Sequence, residues 1–130
     1  FIVKGVMTVK GALKAKEAGA AAIVVSNHGG RVLDGVPATA TVLPAIADAV
    51  GNDAEVLVDG GIRSGLDVFR ALALGANGCL VCRPFVVAIF GGGEQGARDY
   101  LRQLACELSD AMEMCGAATV ADIRPDMLYR

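Results

Sequence analysis

The chain has 130 residues, of which 54% are apolar, and carries 12 Lys and Arg against 14 Asp and Glu. This length provides one domain or part of one, with enough apolar residues for a core. The near-neutral charge excludes a basic nucleic-acid surface, and no apolar run reaches the roughly 18 residues that span a bilayer. We therefore expect a cytoplasmic protein with no nucleic-acid partner and no membrane span.

The chain begins with Phe1 and runs directly into a strand-like segment, without the basic start and apolar core of a signal peptide. This start predicts a fragment or one product of processing. Four short β-branched or apolar runs mark strands, at residues 2–3, 22–26, 56–59 and 78–82. Helices are predicted over residues 8–18 with Thr8 as N-cap, 40–50 and 66–74, each followed by a glycine stop.

A longer helix is predicted after Gly91-Gly92-Gly93, where an apolar stripe recurs from Leu101 to Cys115 at helical spacing and Gly116 fits the end. Its methionines are expected to fill the core. The order is therefore four βα units, which indicates a parallel sheet with right-handed crossovers. Spacing alone leaves two architectures open: an open doubly wound sheet, or half of an eight-stranded (β/α) barrel.

Cys79 and Cys82 form a C-x-x-C pair, which is typical of zinc or redox sites. A tetrahedral zinc site needs a second ligand pair, and Cys106 and Cys115 are nine residues apart on the last helix. We therefore predict no metal site and four reduced thiols.

Polar clusters follow all four strands, at the edge where active residues of parallel α/β folds lie. His28 follows the second strand between Asn27 and two glycines, where its ring can act as a general base. Arg31 in the same loop can hold a carboxylate by two parallel hydrogen bonds. The alternative for Arg31 is a surface ion pair with Asp34.

The third cluster, Asp59-Gly60-Gly61-Ile62-Arg63-Ser64-Gly65, is a glycine-rich turn that opens a helix. Amides and the helix dipole there favour a phosphate, to which Arg63 and Arg83 add charge; the alternative is a plain tight turn. Lys4, which we expect to follow the first strand with Gly5, can stabilise an anionic cofactor.

These motifs together resemble the FMN-dependent 2-hydroxy acid oxidase/dehydrogenase family, which includes glycolate oxidase, lactate oxidase and mandelate dehydrogenase. The similar strings are Val3-Lys4-Gly5, SNHGGRVLDGVPAT at residues 26–39, DGGIRSGLDVFRALALGA at residues 59–76, and Arg83-Pro84. The resemblance covers the whole chain and implies strands five to eight of a (β/α)8 TIM barrel, the C-terminal half of an FMN-binding domain over residues 1–130. It also implies oxidation of a small 2-hydroxy acid of the lactate or glycolate type.

The resemblance implies a role for each matching residue. His28 is then the catalytic base and Arg31 binds the substrate carboxylate. The remaining positions are implied to bind the cofactor FMN: Lys4 at the flavin N1/O2 edge, Ser26 near the flavin, Asp59 at the ribityl hydroxyls, and Gly60, Gly61, Arg63, the main chain of Cys82 and Arg83 at the phosphate. Cys82 departs from the family, which usually has glycine before this Arg-Pro.

Half a barrel leaves two open sheet edges and an uncovered inner face. We therefore expect a companion chain that carries the N-terminal half-barrel, or self-association, and a homo-oligomer of the complete enzyme. Two alternative functions stay open: a non-catalytic FMN- or phosphate-binding half-barrel, and another phosphate-binding barrel enzyme such as a nucleotide dehydrogenase. Asn27-His28-Gly29-Gly30-Arg31 disfavours the latter.

Overall fold

The computed structural model describes residues 1–129, which form an α/β fold of alternating strands and helices. The elements are β1 (Ile2–Val6), α1 (Val9–Glu17), β2 (Ala22–Val25), α2 (Thr39–Val50), β3 (Glu55–Val58), α3 (Gly65–Ala73), β4 (Gly78–Cys79) and α4 (Arg83–Cys115). Short 3₁₀ turns cover His28–Gly30, Val120–Asp122 and Pro125–Met127. None of the helices in these residues has the length and apolar character needed to cross a membrane.

The four strands form one parallel sheet in the order β1-β2-β3-β4, so each strand pairs with its neighbour in sequence. A doubly wound sheet reverses its strand order at a switch point, and residues 1–129 contain no such reversal. Right-handed crossovers between successive neighbours place α1, α2 and α3 on the same face of the sheet.

The core lies between that face and the helices. Ile23, Val25, Val56 and Val58 from the two central strands are buried there with Leu43 of α2. Burial of each such side chain contributes about 1.5–3 kcal/mol. Because strand residues alternate between faces, the other face carries Ile2 and Lys4, which are exposed, and Leu57, which is half-buried. One face of the sheet is therefore only partly covered.

Local signals set the starts of α1 and α3. The Thr8 hydroxyl accepts a hydrogen bond from the Gly11 amide at 3.1 Å, which confirms Thr8 as the cap of α1. Gly19 follows α1 with a φ of +84°, a left-handed conformation that glycine adopts at little cost. Ser64 and Asp67 form a capping box at the start of α3.

Two predicted strand boundaries were wrong. Strand β4 ends at Cys79 and does not reach Cys82, because Cys82 is already the N-cap of α4 and Pro84 stands in the first helical turn. Lys4 and Gly5 lie within β1 rather than after it, at a register shift where Gly5 has a φ of +95°. The shift is a bulge of the kind that glycine permits.

Helix α4 starts earlier than predicted and is kinked. Residues 83–92 are helical, and Gly93 then breaks the helix with φ 58° and ψ −142°, a region essentially restricted to glycine. The predicted stripe on the second half is only partly buried: Leu104 is buried, but Leu101 is 59% exposed. Met114 is 87% exposed, so the prediction that the methionines of this helix fill the core was wrong there.

Candidate active site

Lys4 and Asp59 form an ion pair across the carboxyl ends of β1 and β3. Lys4 Nζ lies 3.0 Å from Asp59 Oδ2 and donates to Ser26 Oγ at 3.0 Å. Ser26 follows β2 and is 1% exposed, so it supports the ammonium from below. The other carboxylate oxygen, Asp59 Oδ1, is buried and has no hydrogen-bond partner within residues 1–129. Buried polar atoms are nearly always hydrogen-bonded, so this oxygen is a candidate acceptor for a donor from outside these residues.

His28 has a backbone conformation that the surrounding loop imposes. Its φ is 55°, the left-handed region, which is uncommon for residues other than glycine and is enriched at functional sites. The His28 amide donates to Ser26 Oγ at 3.2 Å. The imidazole lies over Gly5, since a Cβ built on Gly5 would stand 3.2 Å from His28 Cε1. The bulge in β1 thus gives the ring its room.

The loop that carries His28 and Arg31 is held at both ends. Asn27 Oδ1 accepts from the Gly29 amide at 3.0 Å, and Asn27 Nδ2 donates to the Pro37 carbonyl at 3.2 Å. Arg31 itself is exposed. Within residues 1–129 it forms no ion pair with Asp34, so the alternative of a surface pair finds no support there.

The start of α3 differs from the predicted phosphate site in one respect. The first amides of this helix already donate hydrogen bonds to carboxylates of the chain. Asp67 Oδ2 accepts from the Arg63 and Ser64 amides at 3.1 Å each. Glu107 Oε2 accepts from the Gly65 amide at 2.7 Å. The helix end proper is therefore satisfied from within the chain. Gly60 and Gly61, with φ of 92° and 84°, form the part of this turn that borders open space.

These contacts change the protonation of the two carboxyl groups. Burial raises the pKa of Asp67, but hydrogen bonds from the Arg63 amide, the Ser64 hydroxyl and the Ser64 amide outweigh it, so the net pKa is lowered. The Gln103 side chain and the Gly65 amide lower the pKa of Glu107. Both groups therefore remain ionised as fixed caps of α3.

The start of α4 places a second arginine, Arg83, beside the cleft that Arg63 also lines. Cys82 is the N-cap and makes no capping hydrogen bond through its side chain. Arg83 follows, and its Nη2 stands 3.7 Å from the place where a Cβ on Gly29 would be. The Arg83 guanidinium thus lies against the His28 loop. The C-x-x-C partner Cys79 is half-buried, and burial raises the pKa of its thiol to about 11.

A cleft of about 830 Å³ joins these elements at the carboxyl ends of the strands. Every predicted site residue except Ser26, which lies beneath Lys4, lines it: Lys4, His28, Arg31, Asp59, Gly60, Gly61, Arg63, Cys82 and Arg83. The four cations Lys4, Arg31, Arg63 and Arg83 outnumber the one carboxylate, so the cleft favours an anionic ligand.

Some lining and supporting residues were not predicted. Thr39, at the start of α2, donates to the Asp59 carbonyl at 2.7 Å and so fixes the turn that carries Asp59. Val32, Ile62 and Val87 give the cleft an apolar side. Thr39 was findable as a helix-start threonine, whereas the isolated apolar residues carry no signal in the sequence.

A protein-family model described as FMN-dependent dehydrogenase matches residues 1–130. The chain belongs to this family. An L-lactate oxidase of Roseobacter sp. (strain GAI101) is 54% identical over 98% of the chain, and an L-lactate dehydrogenase of Pectobacterium atrosepticum is 51% identical over 100% of it. Each match covers 34% of the relative, so the chain spans about a third of the length of these relatives.

Solved structures agree with this assignment. Mandelate oxidase with benzoyl-formic acid superposes with a TM-score of 0.92 at 49% identity, over 95% of the chain and 37% of that structure. A mandelate oxidase mutant with the monooxide FMN adduct has the same score and identity and is covered to 39%. The α/β fold of the chain is thus the fold of the matched part of mandelate oxidase.

Proposed function

We propose that residues 1–130 are the C-terminal half, strands five to eight, of an FMN-binding (β/α)8 barrel that oxidises a small 2-hydroxy acid of the lactate or glycolate type to the 2-oxo acid. Family membership and the sequential strand order support the barrel. The observation that carries the activity is the meeting of His28 and Arg31 with the Lys4–Asp59 pair in one cleft.

The residues present suit FMN as cofactor. Asp59 lines the cleft, and its unpartnered Oδ1 is the candidate acceptor for a ribityl hydroxyl. Lys4 borders the place for the flavin edge, and Ser26 supports the Lys4 ammonium from beneath. Gly60, Gly61, Arg63, the main chain of Cys82 and Arg83 would hold the phosphate. Cys82 lines the cleft where the family usually has glycine, so that phosphate would lie next to this residue.

The reaction removes two electrons and two protons from the substrate alcohol. FMN, when bound, accepts a hydride equivalent. Arg31 binds the substrate carboxylate as a bidentate anion clamp and fixes the hydroxyl-bearing carbon. His28 takes the remaining proton as general base. Its left-handed backbone, the Ser26 hydrogen bond and the contact with Gly5 orient the ring for this transfer.

The remaining half of the barrel is part of this proposal. The sheet ends in two edge strands, β1 and β4, and its second face is only partly covered. A companion chain with the N-terminal half-barrel, or self-association, would cover them. We refer to residues 1–130 together with that half as the assembled enzyme, which we expect to be a homo-oligomer.

The test is anaerobic bleaching of flavin absorbance in the assembled enzyme by lactate, glycolate or mandelate. His28→Gln should retain FMN and lose turnover by about 10²–10⁴-fold, because it removes the base without emptying the cofactor site. Arg31→Lys should raise KM, while Arg102→Lys on the exposed side of α4 should change nothing. Absence of bleaching with every 2-hydroxy acid would refute the oxidase function.

A non-catalytic half-barrel that binds FMN or phosphate is the second candidate. It is favoured by the position of Arg63 and Arg83, which both line the cleft and could hold a phosphate without any catalytic group. This candidate would be favoured over the oxidase if the chain binds FMN but no 2-hydroxy acid bleaches the flavin absorbance of the assembled enzyme.

A further inference from the structure

Tyr100 lies on the second half of α4 and contacts both the loop that carries Arg63 and the start of α4. Its hydroxyl donates to the Arg63 carbonyl at 2.7 Å, 37 residues away in sequence. Its ring packs edge-on against Phe85, with ring centroids 5.0 Å apart at 80°. Phe85 stands in the first turns of α4, close behind Arg83. One side chain thus connects the loop after β3 with the start of α4.

The main chain of Arg63 is held on both sides. Asp67 Oδ2 accepts from its amide at 3.1 Å, and Tyr100 donates to its carbonyl. Glu107, also on α4, accepts from the Gly65 amide at 2.7 Å. The bonds from Asp67 and Tyr100 therefore hold the Arg63 main chain in place, which fixes the point from which its side chain extends.

The electrostatic surroundings keep Tyr100 a donor. Burial, and then the negative charges of Glu107 and Asp67, raise the pKa of its phenol. The proton that bonds the Arg63 carbonyl is therefore retained throughout the neutral and mildly alkaline range.

We propose that Tyr100 is a positioning residue that sets the distance between Arg63 and Arg83 for a phosphate monoester held between them. This rests on the proposed function, in which that monoester is the phosphate of FMN. Tyr100 touches neither ligand nor cofactor in this scheme and acts only through Arg63 and Phe85.

The experiment compares FMN with riboflavin, which carries the same ring and ribityl chain without the phosphate, by titration of flavin fluorescence on the assembled enzyme stripped of cofactor. Tyr100→Phe removes the hydroxyl and keeps the ring against Phe85. It should weaken FMN binding about 3- to 10-fold and leave riboflavin binding unchanged, because an indirect effect cannot exceed the free energy of the hydrogen bond that is lost. Phe85→Leu should have the same selective effect.

Tyr129→Phe is the matched control, because Tyr129 is the other tyrosine of the chain and is fully exposed. Unchanged FMN affinity in Tyr100→Phe would overturn the proposal. An equal loss for FMN and riboflavin would also overturn it, because it indicates a general structural role. A wild type with no preference for FMN over riboflavin would refute the phosphate site itself, and with it the proposed function.

Discussion

The Cε1 atom of His28 lies 3.2 Å from the position that a Cβ on Gly5 would occupy. The two residues come from successive βα units, and the bulge at Gly5 in β1 brings the backbone under the imidazole. The glycine therefore shapes the surface on which the proposed base rests.

Gly5→Ala should lower kcat for 2-hydroxy acid oxidation by roughly 10-fold while FMN stays bound, because the new methyl displaces the His28 ring by a few tenths of an ångström. Gly19→Ala is the matched control: its φ is +84°, close to the +95° of Gly5, but nothing lies within 4 Å of its Cβ position. Both changes strain the backbone by about 1–2 kcal/mol. Equal kcat in the two variants would contradict the proposed contact effect.

Gly65→Ala should destabilise the assembled enzyme by at least about 1–3 kcal/mol, measured as the free energy of unfolding in urea. A Cβ at Gly65 would overlap the Leu108 amide and the Leu104 carbonyl and stand 2.6 Å from Glu107 Cβ. The backbones of α3 and α4 leave no space for it. Gly91→Ala is the control, since its Cβ position is open and helical alanine is favoured over glycine; a loss of stability as large in that variant would count against this account.

Asp67→Asn should reduce the free energy of unfolding at pH 7 by about 1–2 kcal/mol through loss of the charged cap. Because the folded pKa of Asp67 is lowered, its stabilisation is fully present above the unfolded value near 3.8 and is lost as pH falls through the folded pKa. The difference in free energy of unfolding between wild type and Asp67→Asn should therefore be constant from pH 7 to about 5 and become smaller below about pH 4. Asp110→Asn, at an exposed position of α4, controls for the loss of one carboxylate. A gap that persists unchanged at pH 3 would contradict the assignment.

FMN should protect Cys82 from alkylation by iodoacetamide, because Cys82 is exposed and lines the cleft beside the proposed phosphate position. Cys115 is exposed at the end of α4, outside the cleft, and should react at the same rate with or without FMN. Cys79, half-buried and with its pKa raised to about 11, should react slowly in both cases. Peptide mass mapping measures all three sites in one experiment. Equal labelling of Cys82 in the presence and absence of FMN would place the phosphate elsewhere.

The sequence predicted those parts of the fold that depend on neighbouring residues. The Thr8 cap, the stop at Gly19 and the alternation of strands with helices follow from short-range patterns. The loops that carry His28 and Arg63 were located for the same reason, because parallel strands deliver their carboxyl ends to one edge.

Contacts between segments that are distant in the chain leave no short-range pattern in the sequence, so they were not predicted. Tyr100 bonds Arg63 across 37 residues and Glu107 bonds Gly65 across 42, and both depend on the kink at Gly93. A run of three glycines predicts a break but not its angle. The apolar run at residues 85–90 lacks polar spacing, so its helix was missed, and the burial of the later stripe was overestimated because the sequence does not say what packs against it.

Because α4 folds back at Gly93, the Arg63 turn is completed by residues that are synthesised after it. A ribosome delivers the Arg63 turn well before the residues of α4 that hold it, so the turn emerges with its carbonyl and the Gly65 amide still open to water. Only when the chain has passed Glu107 and the helix has folded back at Gly93 does that turn acquire its final shape. The proposed phosphate site can therefore reach its final shape only after Glu107 has been synthesised.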